Sequence, residues 1–318
     1  MSVSNVAKSA KLRIGLLIFF SLMFIFSLCM LIYQSAQYKQ SREDNDDARE
    51  VAGIPDLSGL ENLTPFIDMT LGDDETDEPG DDTSDIENDT SGTDESAEPG
   101  DTASGNTSDT TKAPTKVKRP NSGKDPYAKA LSEADLGALQ KVNKDVVGWI
   151  YISGTDISYP LLHPSVNNDQ YLRSSWKSAD TYSRAGTIFI ETLNSPDLSD
   201  FNTIIYGHRM RDQTMFGKLG NFSKKKYWQA HPSVYILTED GVSRYDIYAA
   251  YEVSTDGKTY QISFANDNAK QAYIDFSLEK SVINTGIKPT VDDHIITLST
   301  CTGNGYTTRW IVQAVKAD

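Results

Sequence analysis

The longest apolar run in the chain lies near its start and is long enough to cross a membrane. Residues 14–33 carry no charge and consist mostly of Leu, Ile, Phe and Met. Twenty helical residues span roughly 30 Å, the thickness of the hydrocarbon core of a bilayer. The run is apolar on every face, and no convincing small-residue cleavage pattern follows it. The pattern therefore predicts an uncleaved transmembrane signal anchor over residues 14–33, after a short tail over residues 1–13.

From residue 125 onward the pattern changes to short apolar and β-branched runs separated by clusters of Gly, Asn, Asp and Ser. Eight runs have the length and composition of β-strands. They lie at residues 147–152, 157–162, 184–190, 203–206, 234–238, 243–254, 295–300 and 310–315. Because no regular alternation of strands and helices accompanies them, they favour a closed barrel or a sandwich over a doubly wound sheet. Residues 125–318 are numerous enough to form one domain with a real core.

Two stretches of this region have helical periodicity. Residues 128–143 place leucine and alanine at helical spacing, with Ser132 and Asp135 as candidate caps. Residues 268–281 are broadly amphipathic and lie between the sixth and seventh predicted strands. We expect the first helix to precede the barrel and the second to interrupt it.

The charge of the chain is concentrated in one segment. The formal net charge is −15, yet residues 50–111 hold 19 acidic residues and no Lys or Arg, which leaves 30 basic against 26 acidic residues elsewhere. The acidity therefore says little about what the folded part binds. Residues 71–111 also lack aromatic side chains, as is typical of disorder. We expect a disordered acidic spacer over residues 34–124, with a reach on the order of 50 Å.

Cys301 is the residue whose position most suggests nucleophilic chemistry. It follows the seventh predicted strand and precedes a Gly-containing loop, and Arg309 comes just before the eighth strand. The other cysteine, Cys29, lies within the apolar run, so Cys301 has no intrachain disulfide partner outside the membrane segment. A lone cysteine is more often a small buried hydrophobe. A thiol at a strand end near a guanidinium nevertheless fits acyl-transfer chemistry.

A cysteine nucleophile needs a nearby base or cation, because the thiolate is the reactive form. Of the four histidines, His294 would lie roughly 23 Å from Cys301 along one strand, too far for proton transfer. His163 and His231 each precede a proline, in segments typical of turns or strand edges. His208, which follows the fourth predicted strand, remains.

Three blocks together resemble the active site of sortases, the cysteine transpeptidases of Gram-positive cell surfaces. They are TLSTC ending at Cys301, YGH ending at His208, and the downstream Arg309. The stretches DVVGWIYISGTDISYPLL, AGTIFIE and TIIYGHRM followed by MFGKL are similar to class B sortases. The resemblance covers residues 125–318. It implies a mainly β fold, a closed eight-stranded barrel with an N-terminal helix and a helix inserted before the cysteine-bearing strand.

The resemblance also implies an activity. Cys301 would attack a carbonyl in a C-terminal sorting motif of a secreted protein, His208 would protonate the departing amine, and Arg309 would stabilise the oxyanion. Ser299 and Thr300, within TLSTC, are the implied substrate-binding residues. An amine of a peptidoglycan precursor would accept the acyl group. The N-terminal tail would be cytoplasmic, and the catalytic domain would lie outside the cell membrane.

Three alternatives stay open at this point: a pilus-polymerising sortase, a hydrolytic cysteine peptidase and a non-enzymatic surface module on a stalk. Residues 125–127, Asp-Pro-Tyr, faintly resemble the lid tripeptide of the pilus-polymerising class, although no second apolar helix follows the predicted barrel. The sequence has no metal-ligand cluster, P-loop or dinucleotide fingerprint. We therefore expect no cofactor and no metal, and we expect no nucleic-acid partner.

Overall fold

The computed structural model describes residues 3–57, 59–60, 125–255, 257–303 and 307–317, with side chains from residue 13 onward. In these ranges the protein is mainly β, with short helices around a barrel and a long helix at the N-terminus. Most of the predicted acidic spacer, residues 61–124, lies outside the described residues.

Ten strands are present in the described residues. They are β1 (Val146–Ile152), β2 (Ser158–Leu162), β3 (Ser174–Ser175), β4 (Ser178–Tyr182), β5 (Ile188–Ile190), β6 (Asn202–Tyr206), β7 (Ser233–Thr238), β8 (Gly241–Ser254), β9 (Ile295–Cys301) and β10 (Thr308–Lys316). Eight of them close a barrel in the order β1-β2-β5-β6-β9-β10-β8-β7, while β3 and β4 form a separate hairpin. The predicted closed eight-stranded barrel is confirmed, and each predicted strand overlaps one barrel strand.

The pairing of β6 with β9 brings the ends of two distant strands together. The two strands are parallel, and Tyr206 at the end of β6 is the partner of Ser299 in β9. Both chains therefore leave the sheet at the same end of the barrel. On its other side β9 pairs antiparallel with β10, where Cys301 is the partner of Arg309. One end of the barrel thus collects residues that lie about a hundred positions apart in the sequence.

Five α-helices accompany the strands in the described residues. They are α1 (Val3–Ala52), α2 (Pro126–Leu131), α3 (Leu136–Val142), α4 (Lys225–Ala230) and α5 (Asp267–Lys280). The single helix predicted at residues 128–143 is in fact two, because Asp135 starts α3 by accepting from the N–H of Ala138 at 2.9 Å. The helix predicted at residues 268–281 is α5, and it precedes β9 as expected.

Helix α5 packs on the outer face of the barrel and shows which face carries Cys301. A buried cluster joins it to β9 and β10, including Tyr273, Ile274, Ile295, Ile311 and Val315. Side chains alternate along a strand, so the residues of β9 on the face of Ile295 are the odd-numbered ones, up to Cys301. Cys301 therefore lies on the outer face, whereas Thr300 faces the barrel interior.

Helix α1 contains the predicted membrane segment and continues well beyond it. The stretch Arg13–Ala52 is long and apolar enough to include a membrane span, judged by length and composition. The helix does not end at residue 34, where we expected a disordered spacer to begin. The structure therefore differs from the predicted organisation over residues 34–52, which are helical.

The last turns of α1 and the residues after it dock on the barrel domain. Ala48, Ala52 and Leu57 share a buried cluster with side chains of α2, α3, β1 and β7. The N–H of Asp135 also donates to the carbonyl of Ala52 at 2.8 Å. Composition did not predict this docking, because two alanines and one leucine bury the surface while the charged residues beside them stay at least partly exposed.

Candidate active site

Sheet register brings the predicted nucleophile and the predicted guanidinium side by side. Cys301 ends β9 and is half-buried, and Arg309 lies opposite it in β10. Directly paired residues share a face, with Cβ atoms about 5 Å apart. The connection between the two strands is fastened by Thr302 and Thr308, whose hydroxyl oxygens lie 2.8 Å apart. The half-buried Arg309 also donates from Nη1 to the carbonyl of Thr308 at 3.0 Å.

His208 reaches the same end of the barrel from the neighbouring strand. Tyr206 pairs with Ser299, and His208 and Cys301 each lie two residues further along their own chains. The N–H of Gly207 donates to the carbonyl of Ser299 at 3.2 Å, which extends the pairing one residue past β6. His208 and Cys301 are therefore level with each other on adjacent parallel chains.

A backbone carbonyl holds the imidazole of His208. Its Nε2 lies 2.7 Å from the oxygen of Leu172. Because a carbonyl only accepts, we infer that Nε2 carries a proton and that Nδ1 is the atom that exchanges one. Burial lowers the pKa of His208 below its ordinary value, the positive charges of Arg173 and Arg309 lower it further, and the bond to Leu172 opposes them. The lowered pKa favours the neutral imidazole more strongly than in a free histidine.

The other three histidines bond to backbone carbonyls elsewhere. Nε2 of His163 lies 2.9 Å from the oxygen of Asn194, Nδ1 of His231 lies 2.9 Å from that of Ser153, and Nδ1 of His294 lies 3.1 Å from that of Asp200. His294 precedes β9 and so lies at the end of the strand opposite Cys301. Among the described residues, no group of three or more His, Cys, Asp or Glu could hold a metal ion.

The two predicted substrate-binding residues lie on opposite faces of β9. Ser299 shares the outer face with Cys301, and its Oγ lies 2.9 Å from the hydroxyl of Tyr260. Thr300 faces the barrel interior, where its buried Oγ1 has no hydrogen-bond partner among the described residues. The structure therefore brings Ser299 to the face of Cys301 and turns the Thr300 side chain away from it, because consecutive strand residues alternate.

Two tyrosines and a glutamate that were not among the predicted site residues lie beside this face. The rings of Tyr206 and Tyr260 stack with their centroids 6.4 Å apart, and the Tyr206 hydroxyl donates to Oε2 of Glu191 at 3.0 Å. Burial raises the pKa of both tyrosines, and the charge of Glu191 raises that of Tyr206 further. Both phenols therefore stay protonated at neutral pH. Tyr206 could have been found as the residue two before His208, but no sequence pattern marks Tyr260.

The assembled groups match the needs of acyl transfer. A thiol such as that of Cys301 can act as a nucleophile, an imidazole such as that of His208 can carry a proton, and a guanidinium such as that of Arg309 can stabilise negative charge. All three are half-buried, so each remains accessible to a substrate from the same end of the barrel.

Comparison with known proteins agrees with this geometry. A model of the sortase domain family matches residues 150–317. Sortase B of Staphylococcus aureus is 36% identical over 180 residues, covering 56% of this chain and 72% of that protein. Sortase B of Listeria monocytogenes is 40% identical over 169 residues, covering 52% and 67%.

Solved structures give the same result. A Staphylococcus aureus sortase B–substrate complex superposes with a TM-score of 0.54 at 34% identity, covering 57% of this chain and 84% of that one. The resemblance inferred from the three sequence blocks is therefore confirmed. This chain belongs to the sortase family of cysteine transpeptidases and is similar to its class B members.

Proposed function

We propose that this protein is a membrane-anchored transpeptidase that joins secreted proteins with a C-terminal sorting motif to an amine of peptidoglycan. The observation that carries the proposal is the convergence of Cys301, His208 and Arg309 at one end of the barrel, where Cys301 and Arg309 lie on paired strands and His208 follows the adjacent strand. The apolar helix at residues 14–33 supports a single-pass anchor, and membership of the sortase family supports a catalytic domain outside the cell. The structure of the Staphylococcus aureus relative is a complex with its substrate, which supports substrate binding by this chain as well.

In the first half of the reaction, the thiolate of Cys301 attacks a peptide carbonyl of the sorting motif and forms a carbon–sulfur bond. The carbonyl oxygen becomes an oxyanion, and the guanidinium of Arg309 donates to it, which stabilises the tetrahedral intermediate. The carbon–nitrogen bond then breaks. The amine departs with the proton of the His208 imidazolium and leaves a thioester on Cys301 with a neutral imidazole.

In the second half, the acceptor amine attacks the thioester carbonyl. The neutral imidazole of His208 takes the proton of the attacking amine, and the Cys301 thiolate leaves. The new amide carries the sorted protein, and the enzyme returns to thiolate and imidazolium. The lowered pKa of His208 suits this half, because it keeps the imidazole a neutral base until the amine arrives.

We propose that Ser299 contacts the sorting motif beside the thiol. It lies on the face of Cys301 about 7 Å away, the spacing of two strand residues. Tyr260, which shares a hydrogen bond with the Ser299 hydroxyl, places an aromatic wall next to it. Any contribution of Thr300 to substrate binding comes through its backbone, since its side chain faces the barrel interior.

The test is product analysis with full-length protein in detergent micelles, a panel of sorting peptides and a panel of amines. The proposal predicts peptide products joined to a peptidoglycan-type amine. Cys301→Ala abolishes them, and Cys29→Ala, which changes the other cysteine, retains them. Products of hydrolysis alone would indicate a cysteine peptidase, and joining only to the lysine of a pilin-type peptide would indicate pilus polymerisation. Either outcome would overturn the proposed acceptor.

A further inference from the structure

His208 is held by two segments that lie outside the barrel. Its ring donates to the carbonyl of Leu172, just before the β3–β4 hairpin. Its own carbonyl accepts from the N–H of Phe216 at 2.9 Å, which closes the loop of residues 209–216, called here the His208 loop. Two non-glycine residues of this loop have positive φ angles, Gln213 and Met215. Such conformations are sparsely populated, so surrounding contacts must hold the loop in shape.

Helix α1 contacts the His208 loop directly. Arg42 donates from Nη2 and Nε to Oδ2 of Asp212 at 2.8 and 3.2 Å. The other oxygen of Asp212 accepts from the hydroxyl of Thr214 at 2.7 Å, within the loop. One turn further along α1, Nδ2 of Asn45 lies 3.7 Å from Sδ of Met215, one of the positive-φ residues.

The same stretch of α1 also contacts the hairpin segment that carries the Leu172 carbonyl. The indole of Trp176 donates to the carbonyl of Asp44 at 2.7 Å. The guanidinium of Arg184 lies over the ring of Tyr38, 5.4 Å from its centroid. Two turns of one helix therefore touch both segments that hold His208.

We propose that four residues of α1, Tyr38, Arg42, Asp44 and Asn45, called here the α1 brace, form a positioning element for His208. The inference rests on the proposed function, in which His208 carries the proton of the leaving and attacking amines. Strand pairing in the barrel places Cys301 opposite Arg309, but the pairing of β6 with β9 ends before His208. The brace links the loop that follows His208 to the segment that accepts from its ring, and so it fixes the imidazole relative to the thiol.

The brace acts through several contacts rather than through one strong one. The Arg42 side chain is 57% exposed and that of Asp212 is 17% exposed, and ion pairs of this kind are individually weak. The brace is also continuous with the apolar run, because α1 has no break between them. Arg42 lies about 14 Å along the helix axis from residue 33. One unbroken helix therefore links the apolar run to the His208 loop.

The test uses full-length protein in micelles, with active sites counted by thiol titration and with ¹⁵N-labelled histidine. Arg42→Ala removes the contact to Asp212, and Arg42→Lys keeps the charge without the planar fork. Lys39→Ala is the matched control, because Lys39 pairs with Glu43 inside α1 at 3.5 Å. The histidine spectrum, assigned with His208→Gln, reports the tautomer and pKa of His208 without requiring turnover.

We expect Arg42→Ala to lower kcat per active site about three- to tenfold with KM unchanged. A displaced proton carrier reduces stabilisation of the transition state but leaves substrate binding unchanged. The His208 signals should move in the same variant. Arg42→Lys should recover part of both effects, and Lys39→Ala should change neither.

A triple variant with Arg42→Ala, Asn45→Ala and Trp176→Phe should lose about 30- to 100-fold in kcat. A folded triple variant with the wild-type His208 spectrum and the wild-type kcat per site would overturn the inference. A lower Tm with unchanged kcat per site would also overturn it, since the brace would then only stabilise the fold. If the wild type has no turnover, the proposed function fails, and the His208 spectrum still decides whether the brace positions the ring.

Discussion

The two sides of the candidate site are built in different ways. Cys301 and Arg309 belong to β9 and β10, which pair over seven consecutive residue pairs inside a closed barrel. His208 lies two residues beyond its strand, on a loop with positive-φ residues, and its ring is tied to a carbonyl of a segment outside the barrel. The proposed nucleophile and the guanidinium are therefore positioned by the barrel itself. The proposed proton carrier is held by contacts with a loop and with the segment before a hairpin, and α1 contacts both.

The two sides of the site should therefore differ in how sensitive their geometry is to substitutions nearby. Local changes around β9 and β10 must disturb a continuous hydrogen-bonded sheet before they move Cys301 relative to Arg309. Changes around His208 need only shift one loop or one carbonyl. Substitutions remote from the thiol should consequently act on proton transfer far more often than on the nucleophile.

The largest expected effect comes from removing the proton carrier altogether. His208→Ala should lower the rate of sorting-peptide cleavage about 10²- to 10⁴-fold, the usual contribution of a general acid and base. The Tm should change little, because the ring lies outside the barrel. Steady-state cleavage assays and a thermal melt check both statements.

Alanine substitutions of His163, His231 and His294 serve as controls for that variant. Each of these rings bonds to a carbonyl away from the site, so each variant should stay within a few-fold of the wild type. A requirement for His294 in place of His208 would contradict the strand geometry.

Arg309→Lys should be the next most damaging change, although it keeps the charge. The guanidinium is a planar fork of donors, whereas an ammonium is a point charge on a flexible stem. We expect a loss of about 2–4 kcal/mol of transition-state stabilisation, or roughly 30- to 1,000-fold in kcat/KM. Arg211→Lys, on the exposed part of the His208 loop, is the control and should be near neutral. Unchanged turnover in Arg309→Lys would remove Arg309 from the mechanism.

A glycine next to the Leu172 carbonyl, which accepts from the His208 ring, allows a test of how the His208 side of the site is positioned. Gly186 has φ +58°, and an added Cβ would collide with the carbonyl of Leu172. Gly186→Ala should displace that carbonyl and lower kcat about tenfold through His208. Gly286→Ala is matched in backbone strain, at φ +74°, but nothing lies within 4 Å of its added Cβ. It should cost stability without lowering kcat, and equal kcat in the two variants would rule out the coupling.

The smallest expected effect is electrostatic. The positive charge of Arg173 helps to lower the pKa of His208, so Arg173→Gln should raise that pKa, while Arg173→Lys should not. Because the imidazolium is the proton donor, cleavage that depends on it should persist to higher pH in Arg173→Gln. An NMR titration of His208 measures the change, and added salt should shrink it. A pKa that falls in Arg173→Gln would contradict this electrostatic account.

The same contrast explains how far the sequence could predict the structure. Apolar runs ending at Cys301 and at residue 206 indicated two strands. The positions of His208 and Arg309 next to predicted strands indicated site residues at strand ends, because strand ends leave clear local patterns in a sequence. The pairing of strands a hundred residues apart has no such pattern and came only through the resemblance to sortases. Side chains alternate along a strand, so Ser299 and Thr300 present their side chains to opposite faces of β9, and substrate binding by the two residues stays a prediction.

The elements that hold His208 were not predicted from the sequence. The β3–β4 hairpin is short and mostly polar. A hydrogen bond and an ion pair join it to α1, and its one fully buried aromatic residue, Trp176, shares an apolar cluster with Ala48 and Ala52 without forming a periodic apolar face. The helical stretch after residue 33 is rich in charge, so its composition favoured a spacer. A protein beginning at Asp125 would lack Ala48, Ala52 and Leu57 from its buried cluster. It would also lack the α1 brace.

The most direct test of the account is to trap the covalent intermediate and map it. Full-length protein would be mixed with a sorting peptide without an amine acceptor, quenched in acid, digested and analysed by mass spectrometry. The account predicts a hydroxylamine-sensitive acyl group on Cys301, formed more slowly in His208→Ala and in Arg309→Lys and absent in Cys301→Ala. An acyl group on another residue, or peptide cleavage that persists in Cys301→Ala, would contradict it.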